Sequence, residues 1–431
     1  MNPGGTEHGS ALAAVLLVAT VVGALIGVII SISVVEHRMV VDDVRRWEAW
    51  YAAEAGLHTA LVASRSAPPG QAVTTSDPGG SWEAGAMPYG AYVMVESVGR
   101  AGRKHVALRG WAGTPLTLDA AIVSGHDAVP LAIAGTAVVR GDIYTGPAGV
   151  VMEGRPEEGS IATSHPGPVH QGTVHVAPSS RLPIIPSSSI PEAWAMAENL
   201  IQSGVQLARV EEATTLDAGD LVTARVVFAE GDLFLDAQGK PLPDGTIILA
   251  RGRIQLRRYR GGRRVLLIGD GGIDIGAGHA TIHAVSRGHI RVRPGAVLDA
   301  PSTVTVADSS GRLTIEGTVY GSVVVGGLPP ASSGSTSTSA PALTFSRSAI
   351  LEGVAVSNRP CLPRGQFWGT LMCSAFLSDA DGRLRSARLD RVTVDQERRH
   401  DGFTGPALIG PTHRLVLFDQ EVTSLDDVII L

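Results

Sequence analysis

From Gly9 to Val35 the chain runs without a single charged residue. Coiled as a helix, that stretch would measure ~40 Å, more than the ~30 Å hydrocarbon core of a bilayer requires. Charges return at Glu36, but the helical signal continues. Through EHRMVVDDVRRWEAWYAAEAGLHTALVASR the apolar positions Met39, Val40, Val44, Trp47, Trp50, Tyr51, Ala55, Leu57, Leu61 and Val62 recur mostly at steps of three and four. Pro68, Pro69 and Gly70 then forbid continuation. The pattern predicts one helix over residues 10–63, apolar all round in its first half and two-faced in its second. A cleaved secretory signal would carry a basic flank and a shorter apolar core. The flank MNPGGTEHG has neither Lys nor Arg, so the run reads as a retained single-pass anchor in the cytoplasmic membrane.

Beyond the helix the period changes. Residues 64–90, rich in Pro, Gly and Ser, read as a linker. AYVMVESV (91–98) and KHVALRGW (104–111) flank a Gly-bearing turn and predict a β-hairpin within 91–112. Farther on, GDLFL from Gly231, GRIQL from Gly252, GGIDI from Gly271, GHIRV from Gly288 and GRLTI from Gly311 share a turn glycine followed by alternating apolar residues. They recur at intervals of roughly 20 residues. GDIY at Gly141 reads as an earlier copy, and GTVYGSVVV (317–325) closes the array. One such unit buries little alone; stacked on its neighbours it builds a continuous core.

The expectation is a parallel β-helix over 118–325 with an insertion at 177–208, a Pro/Ser-rich stretch (177–191) followed by a short helix (192–208). Residues 326–341 read as a low-complexity loop and 342–431 as a C-terminal β region. The competing fold is an antiparallel β sandwich. Composition sides with a stack of small aliphatic side chains: 44% of residues are hydrophobic but only 4% aromatic, with 52 Gly. The expected fold class is therefore mainly β with one long N-terminal α-helix.

Candidate chemistry is sparse. A net charge of −6 gives no electrostatic case for nucleic acid. Asp232 and Asp236, or Asp270 and Asp274, share strand parity as a glycosidase pair would, but Asp beside Gly is the ordinary turn residue. His165, His170 and His175 lie among Pro and Gly, and His289 is cut off from His279 and His283 by the turn at Gly288. Neither set has the convergence a metal needs. The run Gly269-Asp270-Gly271-Gly272 lacks the Lys and the helix of a phosphate loop. No catalytic residue, cofactor or metal site is expected. Cys361 and Cys373 are the two cysteines; outside the cytoplasm a disulfide between them would contribute about 2–3 kcal/mol.

The N-terminal design resembles type IV pilin-like proteins, and among them the PilX-type minor pilins. Gly9 stands just before the apolar run, one long apolar-then-amphipathic helix follows, and Tyr51, Ala52, Ala53, Glu54, Ala55, Gly56 and Leu57 spell the YAAEAGL-like signature of such helices. The hairpin, and the passage at 118–146 into a body that looks bactofilin-like, extend the likeness. Two departures stand out: the Glu expected five residues into a mature pilin helix is Ala14, and Arg38, Arg45 and Arg46 lie beyond the anchor, where the positive-inside rule would hold the body in the cytoplasm.

The resemblance implies that residues 1–9 are a leader cut by a prepilin peptidase between Gly9 and Ser10. It further implies that Tyr51–Leu57 lies on a helix-packing face. Gly23 and Gly27 form a GxxxG pair that would let membrane helices approach closely, although Gly is common in such helices anyway. The expected protein is a non-enzymatic minor pilin or pseudopilin of a type IV pilus or related secretion filament, with its body outside the cytoplasmic membrane. Its partners would be other pilin-like subunits and the assembly machinery, with a surface polysaccharide as a further candidate. The alternatives are a membrane-tethered β-helix polysaccharide lyase or hydrolase, and a bactofilin-like scaffold on the cytoplasmic face.

Overall fold

The computed structural model describes residues 7–67, 72–115, 120–126, 128–154, 167–176, 207–210, 214–223, 226–327, 340–380, 383–400, 403–405 and 416–423. Helix α1 runs unbroken over Glu7–Ser66, overrunning the predicted 10–63 slightly at both ends. Its last turn closes with the Ser64 hydroxyl donating to the Leu61 carbonyl at 2.8 Å. Four antiparallel strands follow: β1 (Val73–Ser76), β2 (Trp82–Tyr89), β3 (Tyr92–Ala101) and β4 (Lys104–Pro115). The stretch 64–90 is therefore not a linker. Its Asp/Pro/Gly content marks a turn, in which the Asp77 carboxylate accepts from the Ser81 amide at 3.2 Å and the Ser81 hydroxyl at 2.7 Å. Pro88 is tolerated in β2 because β1 pairs only with Glu83–Ala86, so no ladder bond is lost on that side.

The rest of the described chain winds into a three-faced parallel coil, β-helix-like. Two interior columns show how it is built: Ile254, Ile273, Ile290, Leu313 and Leu343 stack in register on one face, and Leu298, Val319, Leu351, Phe367 and Val394 on another. All ten are buried in one continuous core, each contributing about 1.5–3 kcal/mol by leaving water. The repeat glycines stack too. The Gly252 amide donates to the Gly231 carbonyl at 3.2 Å and the Gly271 amide to the Gly252 carbonyl at 3.0 Å. A side chain at this corner would strike the rung beneath.

Two boundaries move. Residues 342–431 are not a separate region, because strands from Leu343–Phe345 through Val392–Asp395 continue the same three faces. The last strand, Val416–Thr423, leaves the coil and pairs antiparallel with β4. The order of rungs also departs from the order of sequence: Ile122 pairs with Leu371, Ile143 with Ile122, and Val174 with Ile143. The N-terminal rungs thus stack beyond the C-terminal ones. The predicted helix 192–208 lies outside the described residues, except that Leu207 and Ala208 open a strand (Leu207–Val210). Most of the loop 326–341 lies outside them as well.

Alternation along β2–β4 gives the antiparallel sheet two apolar faces. One carries Ala84, Ala86, Val95, Val106, Leu108 and Ala112 against α1. The other carries Met87, Tyr89, Tyr92, Met94 and Trp111 against the coil's outward Val226, Phe228, Ile247, Leu249, Leu266 and Ile268. Within this joint Glu96 and Arg109, opposite each other in register, form an ion pair and are 0% and 2% exposed. The β2–β3 turn seats on His283 and Thr303: the Ala91 amide donates to Thr303 Oγ1 at 3.2 Å, and Thr303 Oγ1 lies 3.1 Å from His283 Nδ1. His283 stacks on Trp111 with centroids 4.8 Å apart.

Burial holds the fully enclosed His283 at a pKa of about 3. The unfolded chain, with an ordinary histidine, binds the extra proton between about pH 6.5 and 3, so stability is full above that window and falls as the pH drops through it. Between pH 7 and pH 4 the loss should reach about 3 kcal/mol, and His283→Phe should flatten the acid limb of a chemical-denaturation series. A limb unchanged by that substitution would remove His283 from the account. Gly353 sits at φ +137, where a Cβ would collide with the Gly321 carbonyl oxygen. Gly353→Ala should cost about 2–4 kcal/mol, read as a lowered thermal midpoint.

Candidate functional site: the helix and its two faces

From Leu12 through Val35 the side chains of α1 are exposed on every side. The span is long and apolar enough to cross a membrane and is a candidate membrane anchor. Gly9 and Ser10 lie in the first turns of the helix. Gly23 and Gly27 have nothing within 4 Å of where a Cβ would stand, so among the described residues no other element packs on the GxxxG pair.

The second half of α1 has two distinct faces. Toward the sheet it presents Ala49, Ala53, Gly56, Leu57, Ala60 and Leu61. Small residues here serve a close crossing. A Cβ on Gly99 of β3 would collide with the Ala49 carbonyl oxygen and the Ala53 amide, and one on Gly56 with Ser97 Oγ. The YAAEAGL run therefore divides: Ala53, Gly56 and Leu57 are buried on the sheet, Ala52 and Glu54 are half-buried, and Tyr51 and Ala55 are exposed. On the outer side Val40, Val44, Trp47 and Tyr51 form an exposed apolar stripe, with Trp47 at 60% and Tyr51 at 61%. Trp47, Trp50 and Tyr51 pack ring to ring with centroids 5.3–6.2 Å apart. Lys104 at the β3–β4 turn reaches Asp42 at 3.1 Å. The sheet thus covers α1 starting ~10 Å beyond Val35.

The other residues singled out in the sequence are dispersed. Asp232 Oδ1 accepts from the Arg253 amide at 2.7 Å, Asp236 pairs with Arg258, Asp270 with Arg287 and Asp274 with Arg293. His279 is exposed beside Asp299, His283 is sealed in the joint, and His289 is exposed on another strand. His175 bonds Asp142 at 2.9 Å and stacks on Tyr144; His170 lies on the neighbouring strand and His165 outside the described residues. Among the described residues no three metal-ligating side chains converge. Gly269–Gly272 is a coil corner in which Asp270 N donates to the Ala250 carbonyl at 3.0 Å. Cys361 and Cys373 are free and buried in the coil interior, so the expected disulfide is not formed here. Burial, helped by the neighbouring Cys373 thiol, pushes the Cys361 thiol well above its ordinary pKa. Sequence reading missed the Glu96/Arg109 pair and the glycine crossing at Gly99. Each left a trace: an Arg and a Glu at inward strand positions, and a Gly where β3 otherwise alternates.

No protein-family model matches the chain, and a search of curated proteins finds no match. Among solved structures the chain is similar to the competence-associated pilin ComZ from Thermus thermophilus, at 13% identity and a TM-score of 0.20, covering 88% of this chain and 97% of that one. A likeness at that score carries no argument about this chain.

The crossing makes a sharp test. Gly99→Val should free the second half of α1 from the sheet, at a cost of about 3 kcal/mol or more. Limited proteolysis in detergent should then cut between Ser66 and Val73 faster than in the parent, and equal cutting rates would show that the crossing is not needed.

Proposed function

We propose that this chain is a non-enzymatic minor-pilin-type subunit of a type IV pilus or related secretion filament. Its helix waits in the cytoplasmic membrane, a prepilin peptidase removes residues 1–9, and the coil is displayed outward. What carries the reading is one unbroken helix whose first half has no partner among the described residues and whose second half is held on an antiparallel sheet by Gly56 and Gly99. A simple tether needs no such continuity. A filament subunit does, because the free half must enter a bundle of other helices while staying rigidly joined to the body. The exposed stripe of Val40, Val44, Trp47 and Tyr51 extends the unpartnered surface alongside the sheet.

A second reading has its own support. Exposed Arg38, Arg45 and Arg46 follow the apolar span, which favours a body on the cytoplasmic face and a bactofilin-like scaffold. Protease added to intact spheroplasts separates the two: the displayed body is digested and the scaffold is protected. For the subunit reading, the mature protein should begin at Ser10 and co-purify with sheared surface filaments, and both properties should vanish in a peptidase-deficient strain. Retention of the full N-terminus in a peptidase-positive host would remove the maturation step.

A further inference from the structure

A cleft of about 540 Å³ opens where a corner of the coil meets the antiparallel sheet, lined by Asp244, Arg263, Arg264, His279, Asp299 and Glu421 among others. We infer that it binds a neutral, hydroxyl-rich ligand, a short saccharide by chemical class. The volume falls in the range of small-molecule sites, roughly 300–1,000 Å³. Its fixed charges nearly cancel: three carboxylates stand against two guanidiniums. Such a balance gives a phosphate or an ammonium ion no Coulombic advantage. It does set acceptors beside donors, and a hydroxyl, which donates and accepts at once, satisfies both.

The walls are built to stay in place. Arg264 is ion-paired to Glu421 of the C-terminal strand, and its carbonyl accepts the Tyr89 hydroxyl at 2.6 Å. His279 Nδ1 lies 3.3 Å from Asp299 Oδ2, which orients the ring and leaves Nε2 and the second carboxylate oxygen for a ligand. Both side chains are about half exposed. Gly261 and Gly262, at φ +61 and +93, line the cleft with bare backbone.

The inference takes only its setting, surface contact, from the proposed function; the cleft itself needs no filament. The test uses the full chain in a detergent without a sugar headgroup, titrated with maltotriose, chitotriose and mannotriose, and separately with inorganic phosphate and spermidine. At least one trisaccharide should bind saturably with a Kd on the order of 1 mM or tighter. Asp299→Asn and His279→Gln should each weaken it about tenfold or more, while Arg257→Ala, exposed on another part of the coil, should leave it unchanged. The inference is overturned if phosphate or spermidine binds more tightly than every trisaccharide, if no trisaccharide binds, or if binding ignores both cleft substitutions. Saccharide binding by a protein that never enters filaments would sink the subunit reading alone.

Discussion

A β-sheet that must serve two neighbours has no face left for water, and that constraint organises this molecule. Strands β2–β4 lie between α1 and the coil, so alternation along β2 and β3 mostly sorts small residues from large ones instead of apolar from polar. Toward the helix stand Ala84, Ala86, Val95 and Gly99; toward the coil stand Met87, Tyr89, Tyr92, Met94 and Trp111. The small side lets the α1 backbone come within contact of β3. The large side reaches across to a coil that cannot approach so closely. Exchanging the two sets would leave a gap on one side and a collision on the other, with costs of both kinds.

The same sheet closes the chain. The N-terminal rungs stack on Leu371–Cys373, and the final strand returns from the coil to β4, where Glu421 grips Arg264. Elements from both ends of the sequence therefore meet at one joint. Pairings of such long separation are slow to form, so the joint should assemble late, after the local rungs between Val226 and Ser357 have stacked on one another. It is also a mechanical coupling: any load on the free half of α1 passes through the Gly56/Gly99 crossing to the sheet, and from the sheet to the coil.

The helix was legible because its signal is long and single-valued, and the stack because its glycines recur at one corner. The half-exposed strands, GDLFL and its copies, alternate and announced themselves. The strands under the sheet did not. Val226–Ala229, Ile247–Ala250 and Val265–Gly269 are apolar at nearly every position because both their faces are covered. Those uninterrupted runs were the available signal that a second layer lay against the coil. Trp82–Tyr89 stayed hidden for the opposite reason, its Gly and Pro reading as loop when Gly85 is buried within the strand and Pro88 lies beyond the reach of β1. The cleft was out of reach of sequence: Asp244, His279, Asp299 and Glu421 come from separate rungs and from the returning strand, and only the closed topology brings them together.

A stack of near-identical rungs poses a registry problem that apolar contact does not solve. Sliding the sheet along the coil by one rung, ~4.8 Å, would exchange one aliphatic neighbour for another at little cost. The outward column facing the sheet is punctuated instead: Val226, Ile247 and Leu266 are followed in register by His283, Thr303 and Ser322, then by Val354. Tyr92 Oη donates to the Thr404 carbonyl at 3.0 Å and lies 3.1 Å from Ser322 Oγ, while the Ala91 amide uses Thr303. A slip one way sets the Tyr92 hydroxyl against Val354; a slip the other way drives the turn at Gly90 into the His283 ring. Each buried group left unpaired costs about 1–3 kcal/mol. Buried polar groups of this kind, the Glu96/Arg109 pair included, add little net stability over well-packed apolar residues. Their contribution at this joint is to single out one alignment of the sheet on a repeating surface, and with it the one placement of Glu421 that completes the cleft.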